Sequence, residues 1–404
     1  MKNLIAACAA LALCGTITGQ TLTTYTEDDG LLDNTALCVA VDSNDEVWFG
    51  TQNGIAHFDN VNWSSFTDED GLVNNTVWAI AADDQGNIWA GTDFGISKFD
   101  GSNWTTYTTD DGLEDNRIKH IFQDADGLMW FGNNDGVSSF DGASFTNYTT
   151  DDGLPFGGVA HVNQDQQGNM WFGTGLGGVY VFDGTDFTQY TLADSLLAAN
   201  VRSIALSSDN KKWVGTSKGI TVYGNDNAFL QNHPSLITLP EPHEINPVED
   251  VKIDSQDRVW TGVYVDYLVS VGGVAYYQGG EWTDLSVDDG LAGPDVNQLA
   301  ITSEDNVWVA TGSGVTLISD TPQSVHIWGE NQQNMVIYPN PAQRQVTISG
   351  LSGSVLEVWT AQGQMVNQLA LNHRTAVQLD LTSLPSGLYF LKCNDEVQRL
   401  MVVD

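Results

Sequence analysis

Residues 83–116 read DDQGNIWAGTDFGISKFDGSNWTTYTTDDGLEDN, and close relatives of this stretch recur along the chain. Within it, three short alternating segments, NIWAGT, GISKFD and NWTTYT, are separated by the turn-forming residues DDQG and a glycine at 101. Together with TVWAIAA just upstream, they predict four antiparallel strands of about six residues each. The phrase DDGLEDN then carries the chain to the next copy. In that phrase, Gly112 can supply a positive φ, the aspartates can cap turn amides, and Leu113 can plug the gap between units.

A tryptophan followed by small or apolar residues marks each copy: Trp48, Trp89, Trp130, Trp171, Trp213, Trp260 and Trp308. Their spacings are 41, 41, 41, 42, 47 and 48 residues. Seven four-stranded units at this period predict an all-β, seven-bladed β-propeller over residues 20–320. The seventh copy lacks an aromatic fourth strand, whereas the chain offers an orphan one, LTTYT from Leu22 to Thr26. That orphan is expected to pair into the last blade and close the ring, removing an exposed strand edge. SVHIW at 324–328 is the competing segment.

The pattern in DDQGNIWAGTDFGISKFDG resembles the two-component-regulator propeller repeat. The resemblance implies seven blades and a sensor-like style of ligand binding. That family's sensors continue into further repeats, a membrane helix and a histidine kinase, none of which is expected here. The D-x-x-G-x-x-W turns also resemble the Asp-box hairpin of sialidases, whose role is structural.

From Asn334 the repeat stops, and the charge nearly balances, with five acidic and four basic residues. Tyr338, Pro339, Asn340 and Pro341, then LPSGLY with Gly387 and Tyr389, are similar to the type A sorting domain of the type IX secretion system. Residues 334–404 are therefore expected to be a small Ig-like β-sandwich, with 321–333 as a linker. The resemblance implies export across the outer membrane of Bacteroidota. The partner it implies is the type IX secretion machinery, and the location is the medium or the outer-membrane surface, reached via the periplasm.

The N-terminus fits that route. Residues 1–19, MKNLIAACAALALCGTITG, join one lysine to an apolar run and small residues, as in a cleavable signal peptide. A lipoprotein signal at Cys14 is the alternative, disfavoured by the bulky Leu13 before it. No later apolar run reaches the ~18 residues of a membrane helix. Only Cys38 and Cys393 remain beyond the signal, so no disulfide framework is expected.

The chain carries 52 acidic against 14 basic residues, a net charge of −38 concentrated on the repeats. Such a surface repels phosphate backbones and excludes a nucleic-acid partner. It favours a soluble monomer. Calcium could be attracted, but no acidic run has the spacing of an EF-hand loop, so turn capping is the preferred reading and no cofactor is required.

Catalytic motifs fail on context. GTSKG at 215–219 has the G-x-S-x-G pattern, but it lies in the hairpin that holds GTQNG and GTDFG in sister units, not in a strand-to-helix elbow. GTGLGG at 173–178 precedes a strand where a dinucleotide fingerprint needs a helix. HEINP at His243 lacks the second histidine of a zincin.

Differences between copies are more informative. After the first aliphatic residue of each innermost strand come Leu37-Cys38, Trp78-Ala79, Lys119-His120, Ala160-His161, Arg202-Ser203, Glu249-Asp250 and Asn297-Gln298. These positions are expected to ring the mouth of the central channel. There Trp78 could stack on a ligand, Lys119 and Arg202 supply cations, and Asn297 supplies an amide. His120, His161, Glu249 and Asp250 could bind a metal or transfer protons. A polar lining for a water-filled channel is the plainer reading. A lengthened loop adds Tyr264 and Tyr267, and the replaced crossover between blades five and six adds His243.

The sequence thus points to a secreted or cell-surface, non-catalytic propeller that binds a glycan or an extracellular protein. The alternatives are a polysaccharide lyase or hydrolase using His120 or His161 with Glu249 or Asp250, and a detached sensor-like domain.

Overall fold

The computed structural model describes residues 20–239, 245–264, 271–319, 336–338, 343–349, 355–360, 365–371, 374, 376–382, 384–393 and 396–402. Two compact units result, Met1–Gln323 and Ser324–Asp404. The expected signal peptide and linker, SVHIW, His243, Tyr267 and Pro339–Pro341 lie outside the described residues.

The first unit is a ring of seven four-stranded antiparallel sheets. Blade 1 contains Ala36–Val41, Val47–Thr51, Ile55–Phe58 and Trp63–Phe66, in that order from the inside out, and blades 2–6 repeat the pattern. Blade 7 takes three strands from Val296–Ser319 and its fourth from Thr21–Tyr25, which pairs Thr21 with Ser319 and Tyr25 with Val315. The N-terminal strand therefore closes the ring.

Two local devices account for the repeat. In five blades an aspartate at the turn after the innermost strand accepts the indole N–H of the tryptophan six residues on. The distances are 3.1 Å for Asp42–Trp48, 2.8 Å for Asp83–Trp89, 2.7 Å for Asp124–Trp130, 3.0 Å for Asp165–Trp171 and 2.9 Å for Asp254–Trp260. The other oxygen of Asp124 accepts the turn amides of Asp126 and Leu128 at 3.0 and 2.9 Å. One carboxylate thus satisfies three donors while the indole is buried between blades.

The crossover is the second device. In TTDDGL, Asp111 accepts the Thr108 amide at 2.8 Å, Gly112 adopts φ 104°, and Leu113 is buried against blades 2 and 3. Six such joints occur among the described residues, each starting with Thr or Ser and capped by an aspartate three residues later. Between blades 5 and 6, Asn246 instead accepts the amides of Leu236 and Ile237, whose side chains fill the gap.

The second unit holds a three-stranded sheet of Val336–Tyr338, Gln345–Ser349 and Ala376–Asp380. Its other sheet has four strands, in the order Met365–Ala370, Val355–Thr360, Gly387–Cys393 and Glu396–Val402. Val346, Ile348, Leu356, Leu379, Leu391 and Leu400 from both sheets share one core. Gly387 opens a strand, and the buried Tyr389 donates its hydroxyl to the Pro385 carbonyl at 2.8 Å, fixing the LPSGLY corner. Cys38 and Cys393 are buried free thiols in separate units.

Asp124→Ala should lower stability by roughly 3 kcal/mol, because it strands a buried indole N–H and two turn amides. Blade 5 offers the converse test: Ser207 stands at the aspartate position and the Trp213 indole N–H is buried without a partner. Ser207→Asp should gain about 1 kcal/mol. Urea unfolding midpoints of both variants check the assignment.

Candidate functional site

The innermost strands leave their inner edge unpaired, so their backbone amides need partners from the channel wall. In four blades the third residue, counted from the first aliphatic one, supplies an acceptor to the next blade. His120 Nδ1 accepts the Val162 amide at 3.3 Å, Ser203 Oγ accepts Val251 at 3.0 Å, Asp250 Oδ2 accepts Leu299 at 3.0 Å, and Gln298 Oε1 accepts Val39 at 2.9 Å. Around the ring these residues stitch blade to blade.

This stitching corrects the expectation that His161 and Asp250 stand at the mouth with their neighbours, whereas His120 stays half-exposed beside Lys119. His161 and Asp250 are buried in the wall. Asp250 Oδ1 receives the Ser203 hydroxyl at 2.7 Å, and Oδ2 lies 3.3 Å from Lys252 Nζ. The His161 ring packs against His120 with centroids 3.9 Å apart and planes tilted by 39°, and its Nε2 is 3.5 Å from Ser203 Oγ. Burial, aided by the Lys252 charge, pushes His120 down to about 3 and His161 well below the ordinary imidazole range. Both rings are neutral at pH 7.

The second residue of each pair behaves differently. In six blades the ladder is interrupted between the first and third residues, so the residue between them is a bulge without a cross-strand partner. Each of the sequence candidates at this position has found a local partner. Arg202 forms an ion pair with Glu249 of the next blade. Asn297 Nδ2 donates to the Ala36 carbonyl at 2.8 Å, and Lys119 Nζ to Gly157 at 3.3 Å. Burial lowers the pKa of both Lys119 and Arg202. Trp78 donates its indole N–H to Asp93 at 3.0 Å. Tyr264 ends a strand of blade 6, and its amide donates to Pro247 at 3.3 Å.

Beside Trp78 the structure adds Phe94, Phe156 and Leu176, which the comparison of innermost strands missed. Trp78 is 44% exposed, Phe94 60%, Phe156 84% and Leu176 74%. They stand in an arc on the loops of blades 2–4, on the face where crossovers meet the channel mouth. Trp78 holds Asp93 beside Phe94, and Lys119 holds Gly157 beside Phe156. A methyl on Gly177, next to Leu176, would lie 2.9 Å from Pro155. Gly158 is pressed against blade 3 so tightly that a methyl there would meet the Asn133 carbonyl oxygen at 1.9 Å.

A sequence signal existed for these residues. Phe156 occupies the place of Asp33, Asn74 and Asp115, whose oxygens cap the amide two residues on at 2.7–2.9 Å. An exposed phenylalanine there gives up a turn cap. The face has little free positive charge. Arg117 is held in a fork by Asp115, at 3.1 and 2.6 Å, and Arg202 by Glu249.

The buried histidines give a pH signature. His233 is also lowered by burial, so the unfolded chain binds more protons than the native one below about pH 6.5. The stability these neutral rings contribute is complete above that pH and is lost as pH falls toward their folded values. Each contributes a slope of up to ~1.4 kcal/mol per pH unit. Melting between pH 7.5 and 5 should show this loss, and His120→Gln/His161→Gln should flatten the profile relative to wild type.

Comparison with known proteins fits this architecture. Residues 30–53, 60–94 and 112–135 match the two component regulator propeller, and residues 336–402 match the secretion system C-terminal sorting domain. No curated protein matches the sequence. Among solved structures, PorZ of Porphyromonas gingivalis aligns over 95% of this chain and 61% of its own, at 15% identity and TM-score 0.60. The extracellular domain assigned to the hybrid two component system BT3049 of B. thetaiotaomicron aligns over 95% of this chain and 54% of its own, at 17% identity and TM-score 0.64. Virginiamycin B lyase of Staphylococcus aureus covers 74% of this chain and 99% of its own, at 13% identity and TM-score 0.59. These likenesses are of fold, and this chain spans less than two thirds of the first two proteins.

Among the described residues no helix is long and apolar enough to cross a membrane. The chain is an all-β protein that carries two component regulator propeller repeats within residues 30–135, and its secretion system C-terminal sorting domain at 336–402 marks it for export to the cell surface or the medium.

Proposed function

We propose that the propeller is a non-catalytic binding module that holds an extracellular protein against its crossover face after export by the type IX machinery. The arc of Trp78, Phe94, Phe156 and Leu176 carries this reading. Large apolar side chains at loop tips, one of them replacing a turn-capping aspartate, lose solvation energy until a partner covers them. Covering one such side chain fully recovers about 1.5–3 kcal/mol. The acidic surroundings and the paired arginines favour a neutral or basic partner over an anionic polymer.

A glycan is the second reading, favoured by Trp78, whose ring plane is pinned by Asp93 as a sugar-stacking platform needs. A lyase or hydrolase reading draws less support, since His161 and Asp250 are buried in the wall and both Asp250 carboxylate oxygens are already engaged there. The module reading needs no cofactor. PorZ, described as a surface component of the type IX secretion system, offers a precedent in fold for a propeller at that location.

Trp78→Ala/Phe156→Ser should weaken capture of the extracellular partner at least tenfold, about 1.4 kcal/mol, without lowering the melting temperature. Pull-down from the extracellular fraction, alongside an oligosaccharide array, measures this. Capture at wild-type strength would defeat the reading, and loss of array binding alone would favour the glycan.

Deletion of residues 336–402 should leave a folded propeller inside the cell. Fractionation showing it at the surface or in the medium at wild-type levels would count against the export route.

A further inference from the structure

A second site lies where the ring closes, on the opposite face from the exposed arc. Blades 7 and 1 meet there around a cleft of about 440 Å³. Its floor is aromatic: Tyr25 lies 5.6 Å from Phe58 and 5.5 Å from Trp308, centroid to centroid. Its rim comes from the turns of the two blades and includes Asn44, Asn60, Glu304 and Asn306. The side chains of Asn44, Glu304 and Asn306 make no hydrogen bond among the described residues.

The repeat explains why the cleft is here. Thr302 stands at the position where five sister blades place the tryptophan-binding aspartate. Its hydroxyl accepts the Asn306 amide at 3.2 Å and keeps the turn, but no carboxylate reaches across to the Trp308 indole N–H. In blade 5 the same loss is sealed, and the Trp213 N–H is buried. In blade 7 the missing carboxylate leaves space beside Trp308, lined by amides and one free acid.

We propose that this cleft binds a neutral sugar residue. The volume lies in the range of small-molecule sites; the half-buried Tyr25 ring, backed by the buried Phe58 and Trp308, offers apolar contact to ring carbons, and the amide and carboxylate groups of the rim offer hydrogen bonds to hydroxyls. No Lys, Arg or His lines it, and Asp45 and Glu304 stand at its edge, so an anionic ligand is disfavoured. A divalent cation is disfavoured too: both Asp45 carboxylate oxygens already receive Ser303, one from its amide at 2.8 Å and the other from its hydroxyl. Glu304 is then the one carboxylate left for a metal, whereas sugar hydroxyls need only acceptors and donors spaced around a rim.

The deciding variant is Thr302→Asp, which restores the sister arrangement and places a carboxylate in the cleft. The full chain, wild type and variants, is titrated calorimetrically with glucose, galactose, mannose, N-acetylglucosamine and their β-1,4-linked disaccharides. The expected result is saturable binding of at least one sugar by wild type. That binding should weaken at least tenfold in Thr302→Asp, which melts no lower than wild type, and in Glu304→Ala/Asn306→Ala. Trp78→Ala/Phe156→Ser should bind the sugar as wild type does, which separates this site from the crossover face. Absence of binding by folded wild type would overturn the proposal. So would binding lost in the crossover-face variant but kept in Thr302→Asp, or calcium binding that Glu304→Ala abolishes.

Discussion

One hydrogen bond sets the terms for the propeller: an aspartate at the first turn of a blade receiving the indole N–H of a tryptophan six residues later. The indole must be buried to fill the wedge between blades, and a buried N–H without an acceptor costs about as much as the bond would gain. Because the same carboxylate also holds the turn amides, turn geometry and blade packing are satisfied together. This coupling accounts for the near-constant spacing in blades 1–4, since an insertion inside the turn would move the acceptor away from the ring it serves. The 47- and 48-residue spacings arise outside it, in the replaced crossover and the lengthened loop.

A second constraint is peculiar to a closed ring of sheets. Each innermost strand has one edge facing the channel, and its amides cannot be satisfied within the blade. In four blades the side chain of the third residue answers this by reaching across to the next blade, and the bulge just before it leaves the second residue without a cross-strand partner. Adjacent residues such as Glu249 and Asp250 therefore have separate duties, one pairing with Arg202 at the mouth and the other tying blade 6 to blade 7.

The fold was legible because its causes are local and repeated. Trp48 through Trp308, the Asp-Asp-Gly-Leu joints and the orphan LTTYT strand each announce one element, and ring closure follows from their count. The candidate site was less legible because its sorting rule is a bulge, which depends on register between strands and leaves no mark in residue type. Glu249-Asp250 reads as two acidic neighbours, yet one is half-exposed and the other is buried in the wall. Phe94 and Phe156 lie outside the innermost strands, although Phe94 stands where Asn53 and Asp135 do and Phe156 where Asp33, Asn74 and Asp115 do.

These observations suggest how a repeat protein acquires specific surfaces. Every position that serves the fold is repeated, so each loss of such a residue leaves a defect of known shape. Where Ser207 replaces the aspartate, the defect is closed and the Trp213 indole N–H stays buried. Where Phe156 replaces a turn cap, the defect is turned outward as an exposed apolar tip. Where Thr302 replaces the aspartate at the seam, it becomes a cleft with a polar rim. The three outcomes differ in what surrounds the lost carboxylate rather than in the loss itself. A departure from the repeat marks a binding surface only where its neighbours leave the defect open to solvent.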